Sequence, residues 1–265
     1  MRFLLVNVPT LWLGVGIVVL AVGLSLLGLV VVRRSVPLET LKENQDVAGF
    51  VIAVVGVIYA VLLAFVVVIV WEDFGSADRT AGNEAVAVGD LYRDAVGVGG
   101  SQGRRLETAV KAYALSVVES EWPHMAAHQS GTGETENALN VVWSDVKRLS
   151  EPASATTSGD FVQAAIHDAS TATEERRSRI LQSSSQIPGT LWAVLIAGAI
   201  ITITFTYLFG VDTLRHHALM VSALATLIGL SLLVILTLNL PYTGDVAVKP
   251  EAMQNAIESF SPAMF

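Results

Sequence analysis

The sequence contains no cysteine, which removes disulfide frameworks, zinc ribbons, cysteine nucleophiles and thiol redox chemistry together. Charge is scarce as well: 15% of residues are Asp, Glu, Lys or Arg against 52% hydrophobic, far from the balance of a soluble chain. It is missing altogether from four long stretches, residues 11–32, 47–70, 190–210 and 218–240, which hold no Asp, Glu, Lys, Arg or His. A core helix of a soluble protein keeps a polar stripe for water. Crossing roughly 30 Å of hydrocarbon at 1.5 Å per residue takes about 20 apolar residues. All four stretches meet that length, so the chain is read as an all-α integral membrane protein with four transmembrane helices.

Other absences narrow the function. Proton relays and coupled pumps keep ionisable residues inside their spans, and here there are none, which leaves passive conduction, scaffolding or sensing. The glycines Gly97, Gly99, Gly100 and Gly103 suggest a phosphate loop, but no Gly-Lys-Ser/Thr follows and no strand precedes them. They read as a turn between helices. No strand leads into a nucleophile elbow and no His-Glu-x-x-His occurs, so no enzyme and no cofactor is expected. No large basic surface invites nucleic acid.

What is present orders the chain. Residues 33–46 and 211–217 are short, so each pair of spans is an antiparallel hairpin. The expected layout is a hairpin over 1–71, a helical extramembrane domain over 72–189, a second hairpin over 190–240 and a tail over 241–265. An even number of spans puts both termini and the middle domain on one side. The opening, with Arg2 and the small residues Ala21 and Gly23, also resembles a cleavable signal. The apolar run continues to Val32, however, and closes on Arg33 and Arg34, as an uncleaved span does. Charge leaves orientation open: Arg33, Arg34, Lys42 and Arg215 flank the hairpin side, while Arg2, Lys249, Arg79, Arg176, Arg177 and Arg179 lie on the other.

Helical spacing of Ala, Val and Leu in the middle domain predicts helices over 72–96, 104–121, 137–151 and 160–186, broken at Gly97 to Gly103, at Pro123, at Ser130 to Gly133 and at Pro152 to Gly159. No proline or glycine cluster separates span two from the helix after it, and the last helix enters span three through Ile187-Pro188-Gly189. Both spans are therefore expected to extend out of the bilayer as stalks.

Span two carries small residues at Gly49, Ala53, Gly56, Ala60 and Ala64; Gly198, Thr202, Thr206 and Gly210 follow in span three, and Ser222, Ala225, Thr226 and Gly229 in span four. Small residues let helices approach closely in lipid; in span two they could equally line a pore built without charge. The pore-lining candidates are Gly56, Tyr59, Ala60, Leu63 and Phe65, with the two aromatics as a constriction. Acids crowd just beyond: Glu72, Asp73, Asp78 and Glu84, then Asp90 and Asp94. Repeated around an axis they would gather cations at a vestibule; singly they are a solvated face partly paired with Arg79, Arg93 and the Arg176, Arg177, Arg179 cluster. His124 and His128, four apart beside Glu121, are weak candidates for a metal site, and the same three offer a membrane enzyme its one polar cluster. His216 and His217 read as interface residues.

Taken in order, further motifs carry a resemblance: Tyr59 through Val68, Trp71-Glu72, Phe74 and Ala77, Glu84-Ala85, Leu91-Tyr92-Arg93, Tyr113 with Val117 and Val118, Glu121-Trp122-Pro123, Arg176 and Arg179, Ile187-Pro188, Leu191-Trp192 and Pro241-Tyr242-Thr243-Gly244. Together they resemble the bacterial bestrophin-like family, once known only as a domain of unknown function. Asn239, Tyr242 and the glycine-rich turn depart from its pattern. The resemblance implies kinship with bestrophins, oligomeric ion channels whose second helix forms a central pore and whose helical domain lies in the cytoplasm. It favours a cyclic homo-oligomer, expected to hold four or five subunits in the inner-membrane bilayer and to pass inorganic ions; the acids predict cations over anions despite the analogy. A non-conducting scaffold or sensor whose helical domain binds a protein is the other reading.

Overall fold

A computed structural model describes residues 2–43, 45–150 and 159–260. The helices, in order, are α1 (Arg2–Asn7), α2 (Thr10–Ser35), α3 (Leu38–Glu43), α4 (Gln45–Val98), α5 (Gly100–Ser116), α6 (Trp122–His128), α7 (Gly133–Leu149), α8 (Gly159–Ser184), α9 (Gly189–Thr206), α10 (Leu214–Leu238) and α11 (Glu251–Ser259), with a π-helical turn at Val117–Glu121. Among the described residues there is no strand, and the protein is an all-helical membrane protein. Two units divide it: one takes residues 2–72, 186–239 and 244–246, the other 73–185, 240–243 and 247–260. Residues 152–158 of the expected Pro152 to Gly159 break, the side chain of Arg2, and residues 261–265 lie outside the described residues.

The first unit holds four helices long and apolar enough to cross a membrane, α2, α4, α9 and α10. A helix satisfies its own backbone where water is absent, so runs of Val, Ile and Leu that would otherwise favour strands are helical here. The short connection makes neighbours of α9 and α10, and α2 packs closely on α10. Gly14 admits Leu233 there: a Cβ at Gly14 would stand 2.7 Å from Leu233 Cδ2. On α4 and α9, the Tyr59 hydroxyl donates to the Leu195 carbonyl at 3.1 Å, with Tyr59, Ala199 and Ile228 buried together. Arg33 closes α2 by donating to the Val211 carbonyl at 2.7 Å, while Lys42 on α3 pairs with Asp212.

The second unit has one core, gathered from the C-terminal half of α4, α5, α7, α8 and α11. Gly99 and Gly100 turn the chain from α4 into α5 with φ of 64° and 61°, values that side chains with a Cβ rarely adopt. The glycine run is thus a helix-to-helix turn, and Ser101 within it follows a helix rather than a strand. Pro123 does not stop the chain: the π-turn precedes it, and it sits in the first turn of α6, where a missing N–H costs nothing. Thr132 caps α7 by accepting from the Thr135 N–H.

Two expectations change. Span two and the first helix beyond it are one element of 54 residues, but α8 does not run into α9. It ends at Ser184, and Pro188 caps α9 instead, because the residue before a proline is pushed out of the helical region. The Ile187 N–H freed by this break donates to the Asn239 side chain at 2.8 Å. The C-terminal segment is also no detached tail: Tyr242, Val248, Met253 and Phe260 belong to the core of the second unit.

Candidate pore helix and a buried ion-pair cluster

Within the span, α4 has two unlike sides. Tyr59, Val66 and Val70 are buried, whereas Ala53, Val57, Ala60, Ala64, Phe65 and Val68 are exposed on the opposite side. At 100° per residue these exposed positions share one broad face. It is free of charge and small at Ala53, Ala60 and Ala64, with Phe65 67% exposed as its bulkiest member. Of the pore-lining candidates, Ala60 and Phe65 lie on this open face and Gly56 is half-buried. Tyr59 does not join Phe65 in a constriction. It is 6% exposed and turned onto α9, because its hydroxyl needs a partner in an apolar setting and finds the Leu195 carbonyl. Leu63 packs beside it in the same cluster.

The acids divide likewise. Glu72, Asp73 and Asp78 are exposed, and Asp90 pairs with Arg93 on its own helix. Burial, then the neighbouring Asp168 and Asp90 carboxylates, push Asp94 up to about 6. Glu84 is no vestibule acid: it is fully buried, facing the core of the second unit, where a carboxylate is tolerated only if paired.

The partner of Glu84 comes from the arginine cluster that the sequence offered the acids, but in the core rather than on a solvated face. The Arg179 guanidinium, itself fully buried, donates from Nε to Glu84 Oε2 at 2.6 Å and from Nη2 to Glu84 Oε1 at 3.0 Å. Nη2 also reaches Glu121 Oε2 at 2.7 Å. Arg176 forks onto the same Glu121 at 3.1 and 2.6 Å and pairs outward with Glu136. Tyr113 donates its hydroxyl to Glu84 Oε1 at 2.7 Å, the Thr132 N–H donates to Glu121 Oε1, and Arg179 lies 4.9 Å from the centroid of the Trp122 ring. Two arginines thus face two buried glutamates, a balanced set. Burial pushes the Glu121 carboxyl up, but the hydrogen bonds from Arg176 and the charges of both arginines outweigh it and hold the group below its ordinary value. Burial and then the Glu84 charge drive the Tyr113 hydroxyl well above its usual range, so it stays a donor. The cluster ties α4, α5, the π-turn and α8 together. Its advance signals were the expected pairing of the acids with the Arg176, Arg177, Arg179 cluster and the motif residues Glu84, Tyr113, Glu121, Arg176 and Arg179.

The same geometry engages the residues of the metal candidate in other contacts. Glu121 is wholly engaged by arginines, and His124 and His128 stack on each other at 4.3 Å. His128 Nδ1 donates to the His124 carbonyl and His124 Nε2 bonds Ser130. Among the described residues no group of three His, Cys, Asp or Glu is placed to hold a metal ion. His216 is exposed and His217 is buried within the protein.

The fold has solved counterparts. A crystallised point variant of a bacterial bestrophin homologue from Klebsiella pneumoniae matches with a TM-score of 0.70 at 13% identity, over 92% of this chain and 98% of that one. The Klebsiella pneumoniae homologue solved by zinc phasing gives 0.63 at 14%, over 91% and 96%. A crystallised membrane protein carrying one substitution gives 0.71 at 13%, over 92% and 96%. At such low identity these likenesses concern the fold. No curated protein is recognisably similar in sequence. The bestrophin-like domain matches residues 19–253, nearly the whole chain, and the protein therefore belongs to the bestrophin-like family.

Proposed function

We propose that the chain is one subunit of an oligomeric ion channel of the bacterial inner membrane, a homo-oligomer of four or five copies with α4 lining a central pore. Residues 73–185 and both termini face the cytoplasm in this reading. The observation that carries it is the open, uncharged face of α4. The most apolar stretch of that helix is only 11% buried, its exposed side is small at Ala60 and Ala64, and Phe65 projects from it. Such a surface suits a hydrophobic constriction that gates by dewetting. Family membership and the bestrophin homologue's fold support a channel over an enzyme. Glu72, Asp73 and Asp78, exposed on the turns after the span, support a preference for cations; Glu84 no longer contributes.

The test is single-channel recording of purified protein in planar bilayers, with native mass spectrometry on the same sample. Discrete openings from a closed ring, with a larger conductance in Phe65→Ala, are expected. A ring that shows no conductance above empty membranes overturns the proposal and leaves a scaffold whose helical domain binds a protein.

A further inference from the structure

Within the second unit α4 and α8 run antiparallel, joined by contacts between residues far apart in the chain. The Gln182 amide donates to Thr80 Oγ1 at 3.1 Å, Arg179 forks onto Glu84, and the Asn83 amide donates to Glu175 Oε1 at 3.1 Å. At the other end Gly97 lies so near Phe161 that a Cβ would stand 2.5 Å from its ring. Between these contacts Asp94 meets Asp168, their carboxyl groups in hydrogen-bond contact. Every other rung joins complementary groups, but here acid meets acid. The flanking contacts fix the register of the two helices, so packing holds the carboxyls together.

The charges that bear on the pair are Asp90 on α4 and His167 on α8. Arg93, next to Asp94 in the chain, pairs with Asp90; on the neighbouring helices Arg104 and Arg105 of α5 are exposed and Arg148 of α7 pairs with Asp145. Two carboxylates in contact repel each other strongly, so the contact requires one proton between them. Burial and then the Asp168 charge push Asp94 up to about 6, while the hydrogen bond from Asp94 holds Asp168 back, which makes Asp94 the donor. A free Asp side chain gives up its proton near pH 4. Stabilisation by the shared proton is therefore complete below about pH 4 and lost as pH rises through about 6. We propose that Asp94 and Asp168 form a proton-operated clasp, which holds the C-terminal end of α4 against the N-terminal half of α8 and releases it when the proton leaves.

Full-length protein in nanodiscs of uncharged lipid is followed by peptide-resolved hydrogen exchange at about pH 5 and about pH 7.5, corrected for intrinsic rates. As pH rises, protection of residues 90–98 and 159–170 should fall about three- to tenfold more than in the rest of the second unit. A displacement of about two pH units is worth roughly a hundredfold for groups without water, but both carboxyls are half-buried and solvent screens the effect. Asp94→Asn, whose amide donates to Asp168 without titrating, should keep protection high at both pH values and remove the difference. Asp168→Asn, with donor and acceptor exchanged, should do the same, and His167→Gln should leave the difference in place. Infrared difference spectra should show a protonated carboxyl band that is lost over this interval in the parent and missing from Asp94→Asn. An equal pH response in the parent and both asparagine variants, a response that vanishes in His167→Gln, or the absence of that band would overturn the proposal.

Discussion

Arg179 shows how unequal single residues are in this chain. It holds Glu84 in a fork and touches Glu121 as well, so Arg179→Ala would leave two buried carboxylates short of their partner. Breaking a buried pair in this way costs about 3–5 kcal/mol. The expected outcome is a sharp loss of thermal stability with little folded protein recovered in detergent, read by melting and size-exclusion profile. Arg179→Met combined with Glu84→Gln removes both charges and should recover much of the loss, because the cost lies in the uncompensated charge. An Arg179→Ala variant as stable as the parent would mean that the cluster contributes nothing. The sequence offers Glu84 as a vestibule acid or as part of a solvated face paired with the Arg176, Arg177, Arg179 cluster, and only the pairing holds. Spacing along a helix says which residues share a face, but whether that face meets water or another helix depends on the neighbours.

At the scale of elements, α4 and α9 meet through the smallest and one of the largest side chains. A Cβ at Gly198 would stand 2.5 Å from the Tyr59 ring, closer than carbon atoms tolerate. Gly198→Ala should therefore push Tyr59 off the Leu195 carbonyl and destabilise the pair by about 1–3 kcal/mol, as overpacking does. Gly56→Ala on the half-buried flank, where a Cβ meets nothing within 4 Å, should be silent in the same melting experiment. Equal effects of the two substitutions would contradict this packing. The small-residue stripe of span two thus has no single meaning: Ala60 and Ala64 face outward, while the close approach is made by a glycine of span three.

For the whole molecule, the quantity to explain is apolar surface. Val57, Val61, Phe65 and Val68 on α4 are each about half exposed or more, and lipid or further copies of the chain must cover them. If copies ring an axis, the exposed acids Glu72, Asp73 and Asp78 multiply at one mouth. The joint substitution Glu72→Gln, Asp73→Asn, Asp78→Asn should then shift the reversal potential in a salt gradient toward zero by reducing cation preference. The shift should be larger at low ionic strength, where screening is weaker. A chloride preference in the parent would refute the charge argument while leaving the channel itself standing.

The sequence by itself determined the membrane and the helical class, since exclusion of charge over about 20 residues has one physical cause and needs no partner to be read. Glycine and proline likewise marked most helix ends, as backbone conformation is a local property. The glycine turn after α4 and the Pro188 boundary are examples, although the proline's power to break α8 from α9 was underestimated. Tertiary structure alone decided which helices touch, that Tyr59 turns away from Phe65, that Glu84 and Glu121 are core residues neutralised by Arg176 and Arg179, and that Asp94 meets Asp168. Each of these is a meeting of residues far apart in the chain, and burial of a polar group is settled by what comes to lie against it.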